Sequence, residues 1–137
     1  MHWVQQNYKV STLIELSTLT GAIIIALGKE RAGLFTNSST LTSRLLEGGE
    51  QMEELLWHMP VDDYHAELIK PKTADISNSP GKSEGSSCQA AAFLRNFVEK
   101  GVDWAHIDIA GVAGDGSDST GYGAKLLLHY LRTQAKS

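Results

Sequence analysis

Thr12-Leu13-Ile14-Glu15-Leu16-Ser17-Thr18-Leu19-Thr20-Gly21 is the stretch on which the fold turns. From Ser11 to Leu19 it is rich in β-branched and apolar residues and reads as a buried strand. Thr20-Gly21 then ends the run. A second stretch repeats the plan: Trp104 to Ile109 reads as a strand, and Ala110-Gly111-Val112-Ala113 leaves it. Helical patterns separate the two. Strands alternating with helices indicate an α/β fold built on a layered sheet. In open α/β sheets ligands bind past the carboxyl ends of strands, so these two exits are the candidate site, although from residue type alone a tight strand exit with no ligand is the plainer reading. Glycine at both exits lets backbone approach a ligand closely.

Outward from these strands, Trp3 to Tyr8 reads as the tail of a helix. Ala22 to Leu27 is Ile-rich and reads as a second strand, turned by Gly28 to Arg31, with Ala32 to Thr36 pairing back as a short strand. Ser38 or Ser39 caps a helix carrying Leu41, Leu45 and Leu46. Gly48-Gly49 weakens that helix before Met52, Leu55 and Leu56 extend it. Ile69 to Gly85 is rich in Pro, Ser, Gly and Lys and reads as a long irregular loop, a length often tied to function. Ser86 or Ser87 opens a helix to about Lys100, with Ala90, Ala91, Phe93, Leu94, Phe97 and Val98 on one face. Gly111 to Gly123 is a second glycine-rich loop, and Tyr122 to Thr133 closes the chain as a helix. No internal repeat is evident.

The 137 residues suit one domain, and 42% hydrophobic with 20% charged residues is ordinary for a globular protein. A net charge of −4 gives no electrostatic footprint for nucleic acid or anionic membrane. Ala22 to Leu27 is the longest apolar run, far too short to cross a bilayer. No signal peptide is read at the N-terminus. The single Cys88 excludes an internal disulfide framework and suits a reducing compartment, so a cytoplasmic location is expected.

Several motifs carry chemistry on paper. Gly81-Lys82-Ser83-Glu84-Gly85 has the nucleophile-elbow spacing, but Asn78-Ser79-Pro80 is not the strand an elbow needs. The same Gly-Lys-Ser resembles the end of a phosphate loop, but Ile76 stands where a glycine is required. His106 and Asp108 alternate on one strand face as two ligands would. With no third ligand at a recognisable spacing, they read as hydrogen-bonded groups near the sheet. Asp115 and Asp118 read as a solvated loop rather than a calcium site. Cys88 reads as a small buried helix residue rather than a reactive thiol.

The pieces Ser17-Thr18-Leu19-Thr20-Gly21-Ala22, Ala32-Gly33-Leu34-Phe35-Thr36-Asn37, Trp57-His58-Met59-Pro60, Ala90-Ala91-Ala92-Phe93-Leu94 and Trp104-Ala105-His106-Ile107-Asp108-Ile109-Ala110-Gly111 stand in a definite order. In that order they resemble the C-terminal part of the leucyl (cytosol) aminopeptidase family, over essentially the whole chain. The resemblance implies a layered α/β/α fold around a mixed sheet, with residues 1–137 forming the C-terminal portion of the catalytic domain. It implies a two-metal exopeptidase in which zinc, manganese or magnesium activates a bridging water, usually in a hexamer. The family's Asn-Thr-Asp-Ala-Glu-Gly-Arg motif, expected just upstream of Thr12, does not occur in this sequence. No residue here therefore inherits a metal-ligand or catalytic role, and no metal is expected to bind this chain alone.

What the resemblance does carry over is lining. Thr18, Leu19 and Gly21 match positions whose backbone meets substrate and a bicarbonate-like anion. Ala110 and Ala113 match the walls of the pocket for the N-terminal side chain, with another wall near Ser79 and Pro80. Many members have a larger residue at Ala113, so the pocket here is expected to be roomier. The leading expectation is a truncated portion of a peptide-cleaving enzyme, inactive alone, with an exposed sheet edge that promotes association. The alternatives are a short pseudoenzyme serving as a structural or assembly subunit, and a small-molecule or anion-binding module.

Overall fold

A computed structural model describes residues 1–71, 74–78 and 84–135, the side chain of Asp115 excepted. The elements follow as α1 (His2–Asn7), β1 (Thr12–Ser17), α2 (Gly21–Leu27), β2 (Ala32–Thr36), α3 (Ser39–Met52) and β3 (Leu56–His58). Next come α4 (Asp63–Leu68), α5 (Ser86–Arg95), β4 (Asp103–Asp108), the two-residue strands β5 (Gly114–Asp115) and β6 (Asp118–Ser119), and α6 (Ala124–Gln134). The main sheet runs β1-β4-β2-β3. β4 is parallel to β1 and antiparallel to β2, and β2 is parallel to β3, so the sheet is mixed.

Alternation along β4 divides the core in two. Ala105 and Ile107 face α3 and α6, where Leu34, Leu41, Leu45, Leu126 and Tyr130 complete one apolar cluster. Trp104 faces the other way, toward Ile23 of α2, Phe35, and Cys88 and Ala91 of α5. Helices therefore cover both faces, giving the α/β/α layering. Asn37 extends the β2–β4 ladder with its side chain: its amide accepts from Trp104 N (2.7 Å) and donates to Val102 O (2.9 Å).

Two parts of the chain differ from the sequence expectation. The run from Ala22 to Leu27 is helical, not a strand. Thr20 caps it, its Oγ1 accepting from Ile23 N at 3.3 Å. Both edges of β4 are taken by β1 and β2, so this segment finds no strand partner, and only Ile23 of its residues is buried. Six apolar residues carry too little periodicity to separate the two states, and tertiary context overrides the isoleucines' β preference. Ala32 to Thr36 is a strand as expected, but its partners are β4 and β3.

Nor does α3 extend past Gly48-Gly49 as far as Leu55 and Leu56. The helix, capped by Ser38 as read, runs through both glycines and stops at Glu53, whose φ of 57° is left-handed. Leu56 belongs to β3. Both glycines are buried, and a β-carbon on Gly49 would sit 2.7 Å from the Glu54 carbonyl oxygen. They permit close packing, at the propensity cost of glycine in a helix. Glu54, itself buried, turns back to accept from Leu126 N at 2.9 Å and so caps α6, whose own N-cap is Gly123.

Helix α4, capped by Asp62, was not anticipated from the sequence, and the other elements agree with that reading to within a few residues. α5 ends at Arg95, short of Lys100, and the Gly111 to Gly123 segment contains the β5–β6 hairpin. The described part of the 69–85 segment contains neither helix nor strand.

Candidate functional site

β1 and β4 lie parallel with Ser17 opposite Asp108, so both chains leave the sheet at the same edge. Ile109 N still bonds Ser17 O at 2.9 Å, one step past the strands. The two exits then diverge: Thr18 to Thr20 leads into α2, and Ala110 to Ala113 leads toward the hairpin. Thr18, Leu19 and Gly21 are exposed, whereas Ala110 and Ala113 are half-buried.

Asp108 joins the two exits. The residue is wholly buried, and its Oδ1 accepts from Leu19 N and from Ala110 N, each at 3.2 Å. Its Oδ2 accepts from the Thr20 hydroxyl at 2.7 Å. Thr20 Oγ1 also lies 2.8 Å from Ser87 Oγ at the start of α5. A threonine hydroxyl has one proton and two lone pairs. With that proton on Asp108, Ser87 donates to Thr20, and Thr20 also accepts from Ile23 N. One carboxylate thus ties β4, both exit turns and α5 together.

Leu19 and Ala110 are therefore brought together, with Thr18 and Gly21 flanking them. Ala110 packs on the α2/α5 side of the core. Ala113 belongs to the hairpin side: its N–H bonds Ile109 O (2.9 Å) and its carbonyl accepts from Thr120 N (3.1 Å). The two signature glycines behave differently. Gly111 is needed for a close approach within the protein, because a β-carbon there would collide with the carbonyl oxygen of Gly28. Gly21 has open space around it, so internal packing does not demand glycine there.

Beside Asp108 on the same sheet face lies a second polar pair. His106 is wholly buried, its Nδ1 against Glu15 Oε1, and its ring stacks on Phe35 with centroids 5.5 Å apart. Ser17 Oγ donates to the other Glu15 oxygen at 3.3 Å. Of the two polar residues read from the strand, Asp108 is hydrogen-bonded at the sheet end and His106 is paired within it. Among the described residues no three His, Cys, Asp or Glu side chains converge closely enough to hold a metal ion.

A cavity of about 260 Å³ opens between α2 and the N-terminus of α5, lined in part by Ala22, Ile25, Met59, Ser87 and Cys88. Cys88 is buried, as the sequence reading expected. Burial, and then the negative charge of Asp62, push its thiol pKa up, which favours the protonated thiol over the thiolate. Ser79, Pro80 and Ser83 lie outside the described residues, as does the side chain of Asp115. Asp118 is exposed, with Ser117 Oγ 3.3 Å from its Oδ1.

The sequence reading identified the two exits but missed what joins them. Thr20 carried a usable signal, a threonine directly before an apolar run, which is an N-cap pattern once that run is taken as helix. Ser87 carried none, because its partner lies 67 positions away.

The sequence matches the cytosol aminopeptidase family, catalytic domain, over residues 1–128. It is 45% identical over 136 residues to a probable cytosol aminopeptidase of Chloroherpeton thalassium, covering 95% of this chain and 26% of that protein. It is 41% identical over 140 residues to the cytosol aminopeptidase of Rickettsia prowazekii, covering 95% and 28%. A lysine-to-glutamate mutant of tomato leucine aminopeptidase superposes with a TM-score of 0.87 at 38% identity, over 92% of this chain and 25% of that one. The chain thus spans about a quarter of the length of the relatives it matches. With the match running from Met1 into the last helix, this chain belongs to the cytosol aminopeptidase family, as a stretch of its catalytic domain.

Proposed function

We propose that this chain supplies the substrate-lining portion of a two-metal leucyl aminopeptidase that releases N-terminal amino acids from peptides. The observation that carries the reading is the meeting of Leu19 and Ala110 on one Asp108 oxygen, at the carboxyl ends of two parallel strands. That is where ligands bind in sheets of this class. Thr18, Leu19 and Gly21 are exposed and line the substrate and an anion, Leu19 through groups other than its N–H, which Asp108 holds. Ala110 and Ala113 wall the pocket for the N-terminal side chain. Alanine at 113 leaves room for side chains larger than leucine.

The donor groups described here do not fit a two-metal centre. Asp108 spends its oxygens on three hydrogen bonds, and Glu15 and His106 face each other inside the sheet. No catalytic step is therefore assigned to this chain's residues. In this reading residues outside this sequence would hold zinc, manganese or magnesium, which when bound would supply an activated water and polarise the scissile carbonyl. β1 pairs with β4 alone among the described strands, and its other edge is where further strands of a full-length catalytic domain add. The complete protein is a cytoplasmic homo-oligomer, hexameric as the family resemblance implies.

The test is leucyl-p-nitroanilide hydrolysis with zinc, manganese or magnesium, by the 137-residue chain and by a full-length family enzyme carrying residues 1–137 in place of its own segment. The expected result is background rate for the chain and metal-dependent turnover for the full-length form. Substantial metal-dependent turnover by the chain alone would overturn the placement of the metal centre. A full-length form that binds metal yet is inactive would favour an assembly subunit instead.

A further inference from the structure

We infer that Asp108 is a positioning residue for the substrate-lining turns, setting the distance between the Thr18–Gly21 and Ala110–Ala113 exits and linking both to α5. The inference rests on the functional reading above for the word substrate, but its geometry stands independently. Three features support it. Asp108 has no exposed surface, so its oxygens are reserved for the protein. Its acceptors meet one donor from each exit backbone and one from the cap of α2, so a single side chain holds three points that the backbone ladder no longer holds. Finally, Thr20 passes the connection on to Ser87, at the first turn of α5.

Turning Leu19 N–H and Ala110 N–H inward removes both donors from the exposed side of the turns. Leu19 as a residue nonetheless stays 40% exposed, so its contact with a ligand is made by groups other than its N–H. Asp108 thereby decides which backbone groups a ligand meets, without touching the ligand itself. A buried acceptor with several donors is also costly to remove, because each donor is left unsatisfied.

Amide hydrogen exchange in the 137-residue chain tests the clamp directly. In the native chain, Leu19 and Ala110 amides are expected to exchange far more slowly than free-peptide rates, although both lie beyond the strands. Free-peptide exchange at both would overturn the inference without recourse to any variant. In Asp108→Ala both amides are expected to exchange about ten-fold faster or more, relative to Leu34 and Ile107 in the same variant. Asp108→Asn is expected to restore most of the protection. Its amide oxygen can keep both N–H donors while its NH2 donates to Thr20, whose hydroxyl then turns to Ser87. Unchanged ratios in Asp108→Ala would overturn the clamp.

Kinetics in the full-length form separate positioning from plain stability. Asp108→Ala is expected to raise KM for leucyl-p-nitroanilide about ten-fold with kcat changed much less, and Asp108→Asn to rescue it. A loss shared equally with a mutant of matched stability, such as Leu45→Ala, would make Asp108 structural only. If the full-length form with native Asp108 ignores leucyl substrates, the functional reading fails while the exchange result still decides the clamp.

Discussion

The two faces of the β4 strand are built on opposite plans. Toward α3 and α6 it presents Ala105 and Ile107 to an apolar cluster of Leu34, Leu41, Leu45, Leu56 and Leu126. Toward α2 and α5 it presents Trp104 to a smaller apolar cluster and then, nearer the exits, His106 and Asp108, both with no exposed surface, met by Glu15, Thr20 and the amides of the exit turns. The first face gains stability by removing hydrocarbon from water and is indifferent to direction. The second depends on direction, since every buried polar atom needs a partner at the right place. An apolar layer holds the sheet, and the polar layer aims what emerges from its end.

That contrast can be broken from the apolar side first. Leu45→Ala, at a wholly buried position, is expected to lower unfolding free energy by about 2–5 kcal/mol in urea titrations. The Leu19 and Ala110 amides should then lose no more protection than the rest of the sheet. A selective loss at those two amides would show that the faces are not separable.

Glu54→Ala is the next largest. It strips the buried acceptor from Leu126 N at the start of α6, and about 1–3 kcal/mol is expected to be lost. Fraying should be confined to the first turn of α6 in exchange measurements. A loss spread evenly over the sheet would mean that Glu54 is general core packing rather than a cap.

Thr20→Ala should cost about 1 kcal/mol through the α2 cap, with exchange rising at Ile23. Because Asp108 Oδ2 also loses its donor, Leu19 should loosen as well. An effect at Ile23 with none at Leu19 would divide the cap from the clamp.

The smallest expected effect is alkaline. Burial raises the Cys88 thiol and the Tyr122 phenol above their ordinary values of 9.0 and 10.0. The unfolded chain releases these protons at lower pH than the folded chain does. Their contribution is therefore complete below about pH 9 and is lost as pH rises through the raised values. Urea midpoints should fall above pH 9, and Cys88→Ala should blunt the early part of that fall. A midpoint that rises with pH in this window would contradict the sign.

Much of the fold was legible because its signals are local. Thr12 to Ser17 and Trp104 to Asp108 announce themselves as strands by residue type, and Ser38 by its place before the Leu41, Leu45, Leu46 spacing. The errors came where two local signals compete. Ile23 to Ile25 favour a strand by propensity, yet a threonine cap starts a helix there, and both edges of the neighbouring β4 are already taken. Gly48-Gly49 reads as a weak point, yet both glycines are kept in the helix by packing against Glu54 and α6. The candidate site was half legible. Its two exits are sequence motifs, but the bond between them spans 89 positions, from Leu19 to Asp108.

The sequence by itself determined the α/β class, the family, the two strand exits and the absence of a charge pattern for nucleic acid. These follow from residue type, order and composition, which need no folding to be read. Tertiary structure alone decided that β4 lies between β1 and β2, that His106 pairs with Glu15, and that Asp108 gathers Leu19, Thr20 and Ala110. The physical reason is that a buried carboxylate takes its partners from whatever donors the packed strands bring within about 3 Å, and that proximity exists only once the sheet has formed.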